Sequence, residues 1–155
     1  RLRVFTNDEL ERIFHSDVSC RLDKQFIQFA YFTGARRGEL LHIRDICADY
    51  MICTGKGDDR IVRLNKQARS LLKKVDHTEW NYTEDYVTKE FKHYLRKLKI
   101  KDAHFHDLRR TFGYNLILQG MPIYQVSKLL GHKSVRTTER HYAPLLVTDI
   151  ADFTL

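Results

Sequence analysis

Cysteine is scarce in this sequence, and its placement excludes two common ways of stabilising a small protein. The 155 residues contain three cysteines, Cys20, Cys47 and Cys53. An odd number without a C-x-x-C pair argues against a disulfide scaffold and predicts reduced thiols in a cytoplasmic protein. Cysteines and histidines show no ligand-type grouping, because His104 and His106 have no third ligand nearby, so we expect no metal ion.

Long hydrophobic segments are also absent. No apolar run approaches the length of about eighteen residues that marks a transmembrane helix, and no signal-peptide pattern opens the chain, so we expect no membrane partner. Repeats, low-complexity tracts and interdomain linkers are missing as well. With 43% hydrophobic residues, the chain is long enough for one domain with a core of its own.

Basic residues outnumber acidic ones. The sequence holds 27 lysines and arginines against 20 aspartates and glutamates, which gives a net charge of +7 and an isoelectric point near 9.4. Such a charge favours a polyanionic partner, because neutralising phosphates releases counterions. A solvated basic surface without a nucleic-acid partner would give the same number.

The spacing of apolar residues predicts a mostly helical α+β domain. A capping box at residues 6–9 begins the first helix. Further helices are predicted over about residues 22–32, 37–41, 66–74, 82–98, 106–118, 123–130 and 137–142, the last one limited by Pro144. Between His42 and Leu64 the period becomes that of short strands, and the Gly55-Lys56-Gly57 turn joins two of them. We therefore expect a small antiparallel sheet of about three strands on one edge of the helices.

A set of polar residues scattered along the chain solves one chemical problem together. Two guanidiniums clamp a phosphodiester, a histidine and a lysine move protons, and a tyrosine hydroxyl attacks phosphorus. His106 and Arg109 are three residues apart on a predicted helix and share a face. Each residue alone is more often a surface or packing residue, so the prediction depends on the whole set. The candidates are Arg36, Lys56, His106, Arg109, His132 and Tyr142, with Glu39 one helical turn after Arg36 to hold its guanidinium.

Three segments resemble the catalytic domain of tyrosine recombinases, the phage-integrase family. They are residues 33–40 (TGARRGEL), 106–112 (HDLRRTF) and 130–142 (LGHKSVRTTERHY), and the resemblance extends from Thr6 to Tyr142. It implies the tyrosine-recombinase catalytic-domain fold and a site-specific, integrase-type enzyme. Such an enzyme breaks and rejoins DNA strands through a 3′-phosphotyrosine intermediate.

The resemblance also implies residue roles and partners. Double-stranded DNA would be the substrate, a homotetramer would form on it, and the protein would be cytoplasmic and associated with the nucleoid. No metal or nucleotide cofactor would be needed. The implied roles are phosphate binding for Arg36, Arg109 and His132, acid–base catalysis for His106, leaving-group protonation for Lys56, attack for Tyr142, and support of Arg36 by Glu39.

Two features depart from the family pattern. His132 and Tyr142 are ten residues apart, whereas many members have nine, and one residue turns a helix by about 100°. The chain also begins where the catalytic domain begins. We therefore expect residues 1–155 to form one catalytic domain, a fragment that lacks the N-terminal DNA-binding domain. The tail after Pro144 would supply only a stub of the helix that docks on a neighbouring protomer.

Two other functions remain open at this stage. A type-IB topoisomerase shares this kind of site and would relax supercoils without exchanging partners, although the H-x-x-R and LGH segments favour a recombinase. A DNA-binding module that has lost catalysis would equally explain the net charge and the basic face of residues 89–99. Retention of the whole residue set argues against such a loss.

Overall fold

Helices dominate the computed structural model, which describes residues 3–55, 58–147 and 150–155. The helices are α1 (Asn7–His15), α2 (Lys24–Thr33), α3 (Arg37–Leu40), α4 (Lys66–Lys74), α5 (Glu84–Lys97), α6 (His106–Leu118), α7 (Ile123–Leu130) and α8 (Val135–Val147). The strands are β1 (Ile43–Ile46), β2 (Tyr50–Thr54) and β3 (Asp59–Arg63). The predicted mostly helical α+β class is confirmed. Within the described ranges, no helix combines the length and the apolar character needed to cross a bilayer.

Local sequence signals set the ends of the helices. The Thr6 hydroxyl accepts a hydrogen bond from the Glu9 amide (3.1 Å) and the Glu9 carboxylate accepts one from the Thr6 amide (2.9 Å), so the predicted capping box begins α1. Gly34 and Gly131 end α2 and α7 with φ of +64° and +74°, a conformation that costs glycine little. Both turns lead directly into candidate site residues.

The three strands form an antiparallel sheet in the order β1-β2-β3. Met51 lies opposite Val62 and Cys53 lies opposite Arg60, so these four side chains share one face of the β2–β3 hairpin. Met51, Cys53 and Val62 are buried. The period-two pattern therefore directs Arg60 inward, beside apolar neighbours, and this placement matters for the site.

Two hydrophobic clusters divide the interior. The larger one surrounds α2, where the Phe26 and Phe105 rings stack at 5.8 Å and Phe91 meets Phe105 edge-on at 5.3 Å. The smaller one joins α7 and α8 to one side of α6, through Val126, Leu130 and other residues of those helices. Because α6 contributes to both clusters, side chains at its first turns lie at their junction.

One boundary prediction is wrong. Helix α8 begins at Val135 and passes through Pro144 to Val147, whereas the sequence predicted a short helix over residues 137–142. Proline lacks an amide hydrogen and so removes one helix hydrogen bond. Leu145 and Leu146 pack against the smaller cluster, and this burial offsets the lost bond. Residues 76–81, between α4 and α5, contain one 3₁₀ turn, His77–Glu79, which Asp76 caps.

Candidate active site

A cleft of about 950 Å³ opens between α3, the β2–β3 hairpin and the start of α6. Arg36, Glu39, His106 and Arg109 all line it, although they come from two distant parts of the sequence. Arg60 of β3 lines it as well. The fold thus brings four of the predicted site residues to one cavity and adds a cation that the sequence interpretation had not selected.

Arg109 is the buried centre of this arrangement. Its guanidinium donates to the carbonyl of Gly34 at 2.7 Å and to the carbonyl of Leu130 at 2.6 Å. These carbonyls belong to the turns that end α2 and α7, so one side chain ties together the turn before Arg36 and the turn before His132. Burial, followed by the neighbouring Arg36, lowers the pKa of Arg109 to about 9. The guanidinium therefore stays charged at neutral pH.

Arg36 sits at the open side of the cleft. Its amide donates to Glu39 Oε1 at 2.8 Å, and its Nη1 lies 3.6 Å from Glu39 Oε2. The Arg36 side chain is 45% exposed, whereas that of Glu39 is only 7% exposed. Glu39 thus lies beside Arg36 and accepts a hydrogen bond from its amide, while the Arg36 guanidinium remains accessible; that Glu39 supports this guanidinium stays a prediction. That Arg36 binds phosphate stays a prediction.

Arg60 makes the most extensive contacts with Glu39. Its Nε donates to Glu39 Oε2 at 2.5 Å, its Nη2 to Oε1 at 3.2 Å, and its Nη1 to the Leu129 carbonyl at 3.2 Å. Burial would raise the pKa of Glu39, but the hydrogen bonds and charge of Arg60 lower it overall. Sequence reasoning missed Arg60. The available signal was its place in β3, two residues before the buried Val62 and on the same face.

The two predicted histidines lie near the arginines. His106 is an exposed residue, yet removal of water by the surrounding protein atoms, followed by the charges of Arg109 and Arg110, lowers its pKa to about 4. Burial, followed by Arg109 and His141, lowers the pKa of His132 to about 4 as well. Both imidazoles are therefore neutral at pH 7, a form able to accept a proton or to donate one N–H.

A residue of α8 sets the position of His132. The Nδ1 atom of His132 lies 2.6 Å from the Thr138 hydroxyl, and Thr138 is fully buried. The ring of His141 meets the ring of His132 edge-on, with centroids 5.6 Å apart. His141 is half-buried and, like His132, has a pKa lowered by burial and then by nearby arginines.

Tyr142 lies deeper than the other site residues. Its side chain is 2% exposed, and its hydroxyl donates a long hydrogen bond (3.5 Å) to the main-chain carbonyl of Arg109. A Cβ atom at Gly113 would lie 2.4 Å from this hydroxyl, so α6 accommodates the phenol only because residue 113 is glycine. Burial, partly offset by Arg109 and Arg110, raises the pKa of Tyr142 to about 12.

The ten-residue spacing explains this placement. Residues adjacent on a helix differ by about 100° in direction. On α8, His141 is the residue beside His132, and Tyr142 belongs to the smaller hydrophobic cluster. That Tyr142 attacks phosphorus stays a prediction, and attack would require its ring to leave this contact.

Lys56 lies outside the described residues, so its predicted role rests on the sequence. Gly55 and Asp58, which flank the gap, line the same cleft as Arg36 and Arg109. Across the parts of the chain that the structure describes, no group of three or more histidine, cysteine or acidic side chains is arranged to hold a metal ion.

Helices around a cationic cleft, with a three-stranded sheet on one edge, define the catalytic-domain fold of the tyrosine recombinases. The chain belongs to the phage integrase family, whose sequence model matches residues 3–147. The resemblance noted in the three sequence segments is thereby confirmed.

Curated relatives extend beyond this chain. It is 27% identical over 166 residues to tyrosine recombinase XerC of Staphylococcus epidermidis, covering 90% of this chain and 56% of the relative. It is 30% identical over 140 residues to tyrosine recombinase XerA of Saccharolobus solfataricus, covering 83% of this chain and 47% of the relative. The chain thus spans about half the length of these proteins.

Solved structures share the fold at low sequence identity. The crystal structure of XerA recombinase matches 97% of this chain and 65% of its own, with a TM-score of 0.75 and 20% identity. A lambda integrase dimer bound to a COC′ core site matches 89% of this chain and 58% of its own, with a TM-score of 0.73 and 19% identity. A post-cleavage complex of the site-specific recombinase XerH with a difH substrate gives a TM-score of 0.71 at 23% identity, covering 92% of this chain and 50% of its own.

Proposed function

We propose that this domain breaks and rejoins DNA strands as the catalytic part of an integrase-type, site-specific tyrosine recombinase. The observation that carries the proposal is the convergence of Arg36, His106 and Arg109 on one cleft, with His132 held at its border through the Leu130 turn. The family match and the net charge of +7 support DNA as the substrate.

The proposed reaction is a transesterification at phosphorus. The phenol oxygen of Tyr142 forms a bond to phosphorus, the bond from phosphorus to the 5′-oxygen breaks, and the 5′-hydroxyl leaves with a proton supplied by Lys56. The product is a 3′-phosphotyrosine, which preserves the phosphodiester energy, so rejoining by a 5′-hydroxyl needs no nucleotide cofactor.

Each remaining residue has a role that its surroundings suit. Arg36 is exposed and charged, Arg109 is fixed by two carbonyls, and both would neutralise the charge that accumulates on the pentacoordinate phosphorus. His106 is neutral at pH 7 and would accept the phenolic proton, while His132 would donate an N–H to a nonbridging oxygen.

The structure imposes one condition on this chemistry. The Tyr142 hydroxyl contacts the main chain of Arg109 and is almost inaccessible. Attack therefore requires the first turns of α8 to shift so that the ring leaves its place beside Gly113. We propose that binding of DNA supplies this shift.

Assembly and location follow from the same proposal. XerH and lambda integrase are described in complex with their DNA sites, the latter as a dimer. For the full-length protein we propose a homotetramer on double-stranded DNA, acting in the cytoplasm at the nucleoid. Residues 1–155 would be its catalytic domain, preceded in the full protein by a DNA-binding domain.

The decisive experiment traps the covalent intermediate. A nicked suicide substrate, from which the 5′-product diffuses away, is incubated with the domain and with the domain joined to its upstream region. We expect a protein–DNA adduct that protease digestion maps to Tyr142. Tyr142→Phe should abolish the adduct and leave salt-dependent DNA binding nearly unchanged.

The other outcomes select the alternatives. An adduct with relaxation of supercoils but no recombinant product favours a topoisomerase. Binding without an adduct from either protein favours the DNA-binding module, a function that the burial of the Tyr142 hydroxyl also suits. An adduct retained by Tyr142→Phe would show that another residue attacks.

A further inference from the structure

We infer that Arg60 is a positioning residue that occupies the Glu39 carboxylate and thereby leaves the Arg36 guanidinium free for phosphate. This role deepens the proposed strand-transfer function and rests on it. It assigns a role to a partly buried arginine of β3 that takes no part in the proposed bond-making and bond-breaking steps.

The geometry of the Arg60–Glu39 pair is that of a fork. Nε and Nη2 of Arg60 reach separate oxygens of the carboxylate, at 2.5 Å and 3.2 Å. The side chains are only 15% and 7% exposed, so water does little to screen the pair. Arg60 alone therefore suffices to neutralise the negative charge of Glu39, without a contribution from Arg36.

Arg36 competes for the same carboxylate from the open side. Its Nη1 lies 3.6 Å from Glu39 Oε2, the oxygen that Arg60 Nε holds at 2.5 Å. Its own amide, not its guanidinium, donates to Oε1 at 2.8 Å. Without Arg60, the buried carboxylate would be left short of a partner, and the exposed Arg36 guanidinium, 3.6 Å away, is placed to close on it.

A third contact keeps Arg60 in this position. Its Nη1 donates to the Leu129 carbonyl near the C-terminus of α7, where a cation is favourable. A Cβ atom at Gly131 would lie 2.7 Å from the same Nη1, so the turn before His132 packs directly on the guanidinium. Arg60 thus also links the β2–β3 hairpin to the turn that precedes His132.

The test removes Arg60 and then removes the charge it neutralises. Arg60→Met should lower the rate of covalent adduct formation on the suicide substrate at least about tenfold. The double variant Arg60→Met with Glu39→Gln should regain a rate within about threefold of Glu39→Gln alone. Rescue is expected because a neutral glutamine in place of Glu39 does not draw Arg36 away from phosphate, whereas a purely structural link to Leu129 would stay broken in the double variant.

A second measurement reports on Arg36 without requiring catalysis. Phenylglyoxal modifies accessible guanidiniums, and mass spectrometry locates the modified residue. We expect Arg36 to react readily in the wild type, to be protected in Arg60→Met, and to react again in the double variant. Arg63→Met is the matched control, because it removes an exposed arginine from the same strand; it should leave both Arg36 labelling and the adduct rate unchanged.

The outcomes separate this inference from the proposed function. If the wild type forms no adduct, the proposed function fails, and the labelling pattern alone decides whether Arg60 controls Arg36. If the wild type forms an adduct and Arg60→Met matches it, the inference is wrong while the function stands. It is equally wrong if the double variant is as slow as Arg60→Met, or if Arg36 stays reactive in Arg60→Met. If Arg60→Met does not fold, a double variant much slower than Glu39→Gln alone still shows that the inference is wrong.

Discussion

The cleft and the middle of α8 differ, because the side chains around the cleft already lie where the proposed reaction needs them and the side chain on α8 does not. Around the cleft, two carbonyls hold Arg109 and Arg60 holds Glu39. Of the two arginines that would contact phosphate, Arg109 is therefore fixed and Arg36 is accessible. On α8, Tyr142 is buried beside Gly113, with its hydroxyl against the main chain. The part of the site proposed to bind phosphate is preformed, whereas the tyrosine proposed to attack is not in place.

This difference has a physical origin in what each side chain loses on burial. A buried guanidinium needs many acceptors, and the carbonyls at the ends of α2 and α7 supply them at fixed positions. A phenol is largely apolar and gains free energy by packing among Val126 and Leu130. If Tyr142 attacks phosphorus as proposed, its resting place in this hydrophobic cluster keeps its hydroxyl away from the wrong phosphate.

Breaking the part proposed to bind phosphate should have the largest effect. Arg109→Lys should slow covalent adduct formation at least about 100-fold, a size typical of removing one group that stabilises transition-state charge. A lysine ammonium is a point charge and does not reach the Gly34 and Leu130 carbonyls together while it contacts phosphate. Single-turnover cleavage, measured beside DNA affinity at the same salt concentration, checks this expectation.

The control for Arg109→Lys is Arg96→Lys, on the exposed face of α5. It keeps the charge and should leave cleavage within about twofold of the wild type. Equal cleavage rates for Arg109→Lys and Arg96→Lys would show that the two carbonyl contacts do not matter for the reaction.

How far the sequence predicts this site depends on whether the signal is local. Arg36, His106 and Arg109 lie in short motifs at helix ends, and the fold does bring them to one cleft. Arg60 was not predicted as a site residue, because its partner Glu39 is twenty-one residues away. The two residues meet only through the register of β3 on β2. No local pattern encodes that meeting.

The C-terminal helix shows a different limit. The sequence revealed the ten-residue spacing but not how it is absorbed. In the structure, α8 continues through the extra residue without a bulge. As a result, Tyr142 packs in the smaller cluster and His141 lies beside His132. The continuation of the helix past Pro144 also depends on tertiary contacts, because Leu145 and Leu146 pack against the smaller cluster.

Displacing the phenol should sharpen the contrast between the two regions. In Gly113→Ala, the new methyl group would lie 2.4 Å from the Tyr142 hydroxyl, so the ring must move. We expect the pKa of Tyr142, about 12 in the wild type, to fall toward the ordinary value near 10. Ultraviolet titration of phenol ionisation, compared with the same substitution in a Tyr142→Phe background, measures this pKa.

Cleavage provides the functional side of the same test. If burial holds the nucleophile back, Gly113→Ala should speed adduct formation by about threefold to tenfold, since less free energy is needed to expose the phenol. An unchanged titration curve would mean that the phenol keeps its buried place. A shifted curve with slower cleavage would mean that burial of Tyr142 aligns α8 instead of restraining it.

Acid should destabilise the domain by protonating His132 and His106. His132 has a pKa of about 4 in the folded protein against 6.5 as its ordinary value, so the unfolded state binds more protons between these limits. The stability from keeping it neutral is fully present above pH 6.5 and is lost as the pH falls toward 4. We expect the free energy of unfolding to drop by on the order of 1–3 kcal/mol over this range from His132, with a further loss from His106.

Urea unfolding at a series of pH values tests this expectation. His132→Asn should flatten the curve between pH 6.5 and 4, whereas His93→Gln, which replaces an exposed histidine on α5, should not. A curve of the same slope in His132→Asn would show that the loss at low pH arises elsewhere in the molecule.

The smallest effect should come from the contact that joins the two regions. Thr138 of α8 lies 2.6 Å from Nδ1 of His132 and is fully buried, so Thr138→Val keeps the shape and removes one hydrogen bond. The His132 ring would lose a fixed orientation but keep its place, and we expect cleavage to slow by only about twofold to threefold with unchanged DNA affinity. Thr137→Val, its neighbour in the same turn, is the control. Equal cleavage rates in the two variants would mean that the turn at Gly131 alone orients His132. In that case α8 would affect the reaction only through Tyr142.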